Sequence, residues 1–319
     1  MRELILSGAT QKAGLKKDWE QFKKGLVLSF HTKSQQIQKV IEYISPPGVC
    51  ADDDPSISFT AATLRKNKLY VPTHTEILVY DLNTYQLEKY FTYPSLNDVH
   101  HVYPRNNGNL LICNTGLDMV IEASPKGVIL NEWNVGRGGP WKAFDPLIDY
   151  RKVPTTKPHK HHPNFVFELE DEIWVTRCLQ KDAICLTDPW KEITIGRQLI
   201  HDGVLYKNHL YFTQVDGHII KVNAGSLQVV QDIDLTTVGS HEEKLGWCRG
   251  IKPITEDIIL VGFTRIRPSS RVNEDGSREY YGQHGVLPTR IACYNIKEMA
   301  LMWEKDLEPH GMNAIYSIS

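Results

Sequence analysis

The sequence predicts an all-β fold, a six-bladed β-propeller closed between its N- and C-terminal strands, and three observations predict it. Short β-branched and aromatic runs separated by turn residues return about every 40 to 60 residues. Helical periodicity is nearly absent. The third observation is a repeated unit: His101-Val-Tyr-Pro, the turn Asn106-Asn-Gly-Asn, then Leu110-Leu-Ile-Cys, Met119-Val-Ile-Glu and Val128-Ile-Leu-Asn-Glu-Trp133 read as four antiparallel strands. The unit returns as His201-Asp-Gly-Val, Leu210-Tyr-Phe-Thr, His218-Ile-Ile-Lys-Val222 and Leu227-Gln-Val-Val230.

His101 precedes Leu110 by nine positions, and His201 precedes Leu210 by nine. The same offset from the second strands Leu69-Tyr-Val, Ile173-Trp-Val and Ile258-Ile-Leu places Thr60, Asn164 and Arg249 at the equivalent point. Five blades are then in register. The sixth is composite: the C-terminus carries one lone strand, His310 to Ser317, and the N-terminus opens with three, Glu3 to Leu6, Gly25 to Phe30 and Gln36 to Ile44. Joining them removes the sheet edges of an open array. A seven-bladed ring or an open sandwich is the alternative.

At 319 residues with 41% hydrophobic content, the chain fits one large all-β domain over 1–319. Lys plus Arg number 36 against 38 Asp plus Glu, so no basic field draws nucleic acid or an anionic membrane, and a small-molecule substrate is expected. With no signal-type stretch and no run of eighteen apolar residues, a cytoplasmic location is expected. Six scattered cysteines suit free thiols rather than a zinc cluster.

The first strand of a blade is innermost, so Thr60, His101, Asn164, His201, Arg249 and His310 are expected around one channel mouth, with His162 on the same side as Asn164. A single histidine is more often structural. Repetition of His at one structural position is not required by packing, and it makes this mouth the candidate site. His100 and His161 should point the other way and give support; His159, His218, His241 and His284 receive no role. Insertions at 8–24, 136–160 and 266–290 all emerge on the histidine face. Gly136-Arg-Gly-Gly-Pro-Trp141 and the Arg265, Arg267, Arg271, Arg278, Tyr280 and Tyr281 set suit a lid.

Four segments resemble the bacterial arylsulfotransferases, six-bladed propellers that pass a sulfuryl group between phenols through a channel histidine. They are His100-His101 with Asn107-Gly-Asn-Leu, His162-Pro-Asn164, Val175-Thr-Arg177 and His201-Asp202, across three successive blades, and the resemblance they carry covers about half the chain. The resemblance implies that His201 is the nucleophile, that Arg177, His101, His162 and Asn164 hold the sulfuryl oxygens, and that no cofactor is needed. Arg249 could add a second cation. Cys178 departs from the family, which tends to carry another His there, and so does the missing export signal.

Two other readings stay open. His101, His162, His201 and His310 could hold a divalent transition metal such as zinc, iron, copper or manganese, giving a lyase, isomerase, hydrolase or oxygenase. A non-catalytic ligand- or protein-binding propeller is the third. Asp52-Asp53-Asp54 lacks the alternating spacing of a calcium loop, and Cys248 reads as a buried thiol.

Overall fold

The structure is a computed structural model that describes residues 3–14, 16–239, 242–266 and 287–319. Its strands form six four-stranded antiparallel sheets, the blades of a β-propeller. β1 (Glu3–Gln11), β2 (Phe22–His31) and β3 (Gln36–Tyr43) belong to the composite blade. The second blade is β4 (Thr63–Arg65), β5 (Lys68–Pro72), β6 (Ile77–Asp81) and β7 (Leu87–Phe91). The third is β8 (Val99–Pro104), β9 (Leu110–Asn114), β10 (Met119–Ala123) and β11 (Ile129–Asn134). The fourth is β12 (Pro163–Leu169), β13 (Glu172–Arg177), β14 (Asp182–Cys185) and β15 (Glu192–Thr194). The fifth is β16 (Ile200–Tyr206), β17 (His209–Gln214), β18 (His218–Asn223) and β19 (Val229–Asp234). The sixth is β20 (Trp247–Pro253), β21 (Ile258–Thr264), β22 (Arg290–Asn295) and β23 (Ala300–Asp306). The last strand, β24 (Ala314–Ile318), pairs with β1 and closes the ring.

Each sheet is covered on both faces by its neighbours, so the inner strands read as continuous apolar runs rather than alternating ones. Leu110 to Asn114 is buried at every position. One such layer packs Phe167, Trp174 and Ile193 of the fourth blade against Ile200, Leu210 and Phe212 of the fifth. The outermost strands are largely exposed and carry charge, as in Leu87-Glu-Lys-Tyr-Phe91, which blunts their free edges. First strands pack in sequence around the axis, β8 on β12, β12 on β16, β16 on β20 and β20 on β24. Ser7 Oγ donates to the Thr60 carbonyl and accepts from Ser317 Oγ, tying the closing blade to its neighbour.

Two boundaries differ from the sequence reading. β1 runs to Gln11 and β2 starts at Phe22, so the first insertion shrinks to a connection over 12–21. The last strand starts at Ala314, not His310, because Gly311 turns left-handed (φ 84°) and ends a short 3-10 turn, Glu308–His310, before the strand begins. Asp54, in the triple-acidic run, is a surface turn held by Lys12 and Lys16 at 2.6 and 2.8 Å.

Candidate active site in the channel

Five first strands carry one irregularity each in their pairing with the second strand. It falls between Val99 and His101, Pro163 and Val166, Ile200 and Gly203, Cys248 and Ile251, and between Ile315 and Ser317 opposite β1. A bulge turns a side chain out of the pleat. The residues it turns here, His100, Asn164, His201, Arg249 and Tyr316, all line one cavity of about 840 Å³ at the channel mouth.

On one wall, His201 is almost wholly buried and its Nδ1 lies 3.1 Å from Asp202 Oδ1. The other oxygen of Asp202 accepts from the Gly250 N–H and from Thr213 Oγ1, so this carboxylate is held as an acceptor. His201 Nδ1 therefore carries the proton and Nε2 the lone pair. Nε2 has no protein partner. Burial, outweighing the pull of Asp202, lowers the imidazole to about 4, which keeps it neutral at physiological pH.

Arg249 stands beside it with its guanidinium 4.9 Å from the Tyr316 ring and 5.7 Å from that of Trp247. Its Nε has no partner, and among the described residues no carboxylate pairs with it. Asn164 is fixed by donation from Nδ2 to the Ile200 carbonyl at 2.9 Å, while its Oδ1 is left unpaired. Cys178 also lines the cavity, with burial pushing its thiol up to about 11, so it is not a thiolate.

The opposite wall gathers His74, Asp98, His100, His159 and His162. His100 Nε2 lies 3.3 Å from Asp98 Oδ1, and its ring meets that of His162 edge-on at 5.0 Å. His159 and His162 approach through their Nδ1 atoms at 2.7 Å, so one must donate and the other accept. His162 adopts φ 56°, a left-handed conformation that costs about 1–3 kcal/mol in a non-glycine residue and is held by Asp118, whose carboxylate accepts from the His162 N–H at 2.8 Å. Burial would raise the Asp98 carboxyl, but His100, His74 and Lys157 hold it well below the usual carboxylate range.

The structure thus brings together His162, Asn164, His201 and Arg249 of the residues expected from sequence. It does not bring the others. His101 is fully buried between blades, stacked 3.6 Å from the Phe165 ring, with Nδ1 accepting from the Val166 N–H and Nε2 bonded to Thr63 Oγ1. Arg177 is clamped by both oxygens of Asp182 and donates to the Val135 carbonyl, away from the cavity. His310 sits half-buried in its 3-10 turn, and Tyr316 takes the place expected for it. Thr60 is buried, with Oγ1 donating to the Val99 carbonyl. His100 and His159 lie in the cavity instead of outside it, and His74, Asp98, Trp247 and Tyr316 were not foreseen.

The four-histidine metal set is therefore not assembled, since His101 and His310 lie elsewhere. Among the described residues, no three His, Cys, Asp or Glu side chains are arranged to hold a metal ion. Of the insertions, Lys17 and Trp19 from the first and Lys157 to His159 from the second reach the mouth. Gly136–Trp141 does not, because Trp141 Nε1 is tied to Glu132 at 2.9 Å. Arg265 reaches it paired with Glu308, while Arg267, Arg271, Arg278, Tyr280 and Tyr281 lie outside the described residues, as do His241 and His284. Cys248 is fully buried, which raises its thiol well above the ordinary value.

Among the described residues, no helix is long and apolar enough to cross a membrane. No family model matches the chain, and no curated protein is similar to it in sequence. Among solved structures, a protein of unknown function from Bacteroides caccae is similar over 100% of this chain and 98% of its own, at 12% identity and a TM-score of 0.62. A chain of a nidogen/laminin complex is similar over 99% of this chain and 97% of its own, at 9% identity and a TM-score of 0.59. A chain of the mitotic checkpoint complex is similar over 93% of this chain and 79% of its own, at 9% identity and a TM-score of 0.50. At these identities the likeness is one of fold alone, that of a six-bladed β-propeller.

Proposed function

We propose that this propeller is an enzyme in which His201 passes a group, sulfuryl in the first instance, between small aromatic or anionic molecules bound in the channel. The observation that carries this reading is the Asp202–His201 pair, which leaves a neutral, oriented Nε2 lone pair beside Arg249, neither His201 Nε2 nor Arg249 Nε having a partner among the described residues. A neutral imidazole is a competent nucleophile near pH 7 and needs no metal. In the first step Nε2 attacks sulfur, the S–O bond to the donor phenol breaks, and the phenolate leaves to take up a proton. In the second, the acceptor hydroxyl attacks sulfur, the N–S bond breaks, and the acceptor proton is released. Arg249 faces the charge on the sulfuryl oxygens in both. This gives Arg249 the part that the family resemblance assigned to Arg177.

The test is intact-mass and peptide mapping after incubation with 4-nitrophenyl sulfate. An added sulfuryl group on His201, absent in His201→Ala, is expected. No adduct, or stoichiometric transition metal lost together from the His100, His162 and His201 variants, overturns the reading.

A further inference from the structure

We propose that His100, held by Asp98, is the acid and base that faces His201 across the reacting group, and that the natural donor is therefore an ester of an unactivated phenol or alcohol. This rests on the group-transfer reading above. The two histidines occupy the same bulged position in the third and fifth blades, and each has its own carboxylate, Asp98 at 3.3 Å from His100 Nε2 and Asp202 at 3.1 Å from His201 Nδ1. Each therefore has one nitrogen anchored and one left over. The leftover atoms are His100 Nδ1 and His201 Nε2, both buried and without a partner. Two groups of this kind at one cavity, with no partner among the described residues, call for a ligand that satisfies both.

The spacing fits one reacting group. The ring centres are 5.8 Å apart and tilted by 31°. At that separation both rings border the same part of the cavity, so one bound group can meet both. The edge-on ring of His162 at 5.0 Å blocks rotation of His100 away from it. Around His100, the titratable neighbours are Asp98, His74, His159, His162 and His201. Asp98 is the one anion among them, and at 3.3 Å from Nε2 it orients the His100 ring.

The balance is simple. As His201 Nε2 bonds to sulfur and the S–O bond breaks, a proton moves from His100 Nδ1 to the leaving oxygen, giving a neutral phenol or alcohol. In the return step the neutral Nδ1 takes the proton from the acceptor hydroxyl as its oxygen attacks sulfur and the N–S bond breaks. His100 ends protonated and His201 neutral, as at the start. Such an acid matters only when the leaving oxygen is basic, which is why its presence specifies the donor class.

The experiment measures the burst of released phenol with two donors, 4-nitrophenyl sulfate and phenyl sulfate, in the native protein, His100→Gln and Asp98→Asn. His100→Gln is expected to slow the phenyl donor at least about 30-fold more than it slows the nitrophenyl donor, whose leaving oxygen needs no acid. Asp98→Asn, as a positioning change, should follow the same pattern more weakly. An unchanged thermal melt shows that the variant is folded. Equal loss with both donors, or loss with neither, overturns the role of His100 while a His201 adduct leaves the group-transfer reading intact. If the native protein forms no adduct with either donor, both proposals fall.

Discussion

His101 and His201 stand at matched places in two blades, each nine residues before its second strand, each fully enclosed and each kept neutral by burial, to about 3 and about 4 respectively. Their surroundings separate them. Around His101 every polar valence is filled: Val166 N–H donates to Nδ1, and Nε2–H can donate to a Thr63 hydroxyl that itself donates to the Val102 carbonyl. His201 has one nitrogen filled by Asp202 and one vacant. What distinguishes a packing histidine from a reacting one is therefore the unfilled nitrogen, not burial or titration. The true counterpart of His201 in the third blade is His100, one position earlier, since both occupy the bulge.

The largest expected effect on this contrast is on turnover. His201→Ala should lower the transfer rate by about 10³-fold or more with the melting temperature nearly unchanged, and a rate within tenfold of native would erase the distinction. His101→Ala should do the reverse, costing about 3 kcal/mol of stability through a cavity and an unpaired Val166 N–H. His101→Asn, whose Oδ1 can replace Nδ1, should recover part of that in a denaturant titration. Arg249→Gln comes next: anionic ligand affinity should fall about 10- to 100-fold in calorimetry, with affinity for a neutral analogue unchanged.

Acid should act on both histidines at once. Their folded values lie below that of the unfolded chain, near 6.5, so the unfolded state binds protons the folded state excludes. Stability should accordingly be full above about pH 6.5 and fall as the pH drops toward 4, by about 1.4 kcal/mol per pH unit for each histidine. A flat unfolding midpoint between pH 6.5 and 4.5 would show that neither is held neutral. Smallest of all, His310→Ala should change neither rate nor stability measurably, because its turn lies outside the cavity.

Much of the fold could be read from residue patterns because blade cores impose them. Apolar runs such as Leu110-Leu-Ile-Cys must be buried on both faces, and the lone strand at one end needs the three at the other. The site was legible in part. Asn164, His201 and Arg249 follow from counting back nine residues, and Asp202 is visible as the neighbour of His201. The count fails for His100 because the β8–β9 hairpin pairs Pro104 with Leu110 across a five-residue loop, whereas β16–β17 pairs Tyr206 with His209 across two. Hairpin length shifts the offset by one, and one residue reverses the facing of a strand. Arg177 and Asp182 are five residues apart across a tight hairpin, so their pairing was available as a warning. His74, Asp98 and Tyr316 carried no local signal, since loop and closing-strand positions are set by the ring rather than by their neighbours.

The seam between β24 and β1 has a consequence in time. Tyr316, which stacks against Arg249 and lies 6.3 Å from the His201 ring, rides on β24, which leaves the ribosome after the strands of the other five blades. Five blades can collapse on the emerging chain, yet the cavity wall has a gap until β24 docks beside β1. Ligand binding should therefore report closure of the circle by that strand rather than formation of any single sheet.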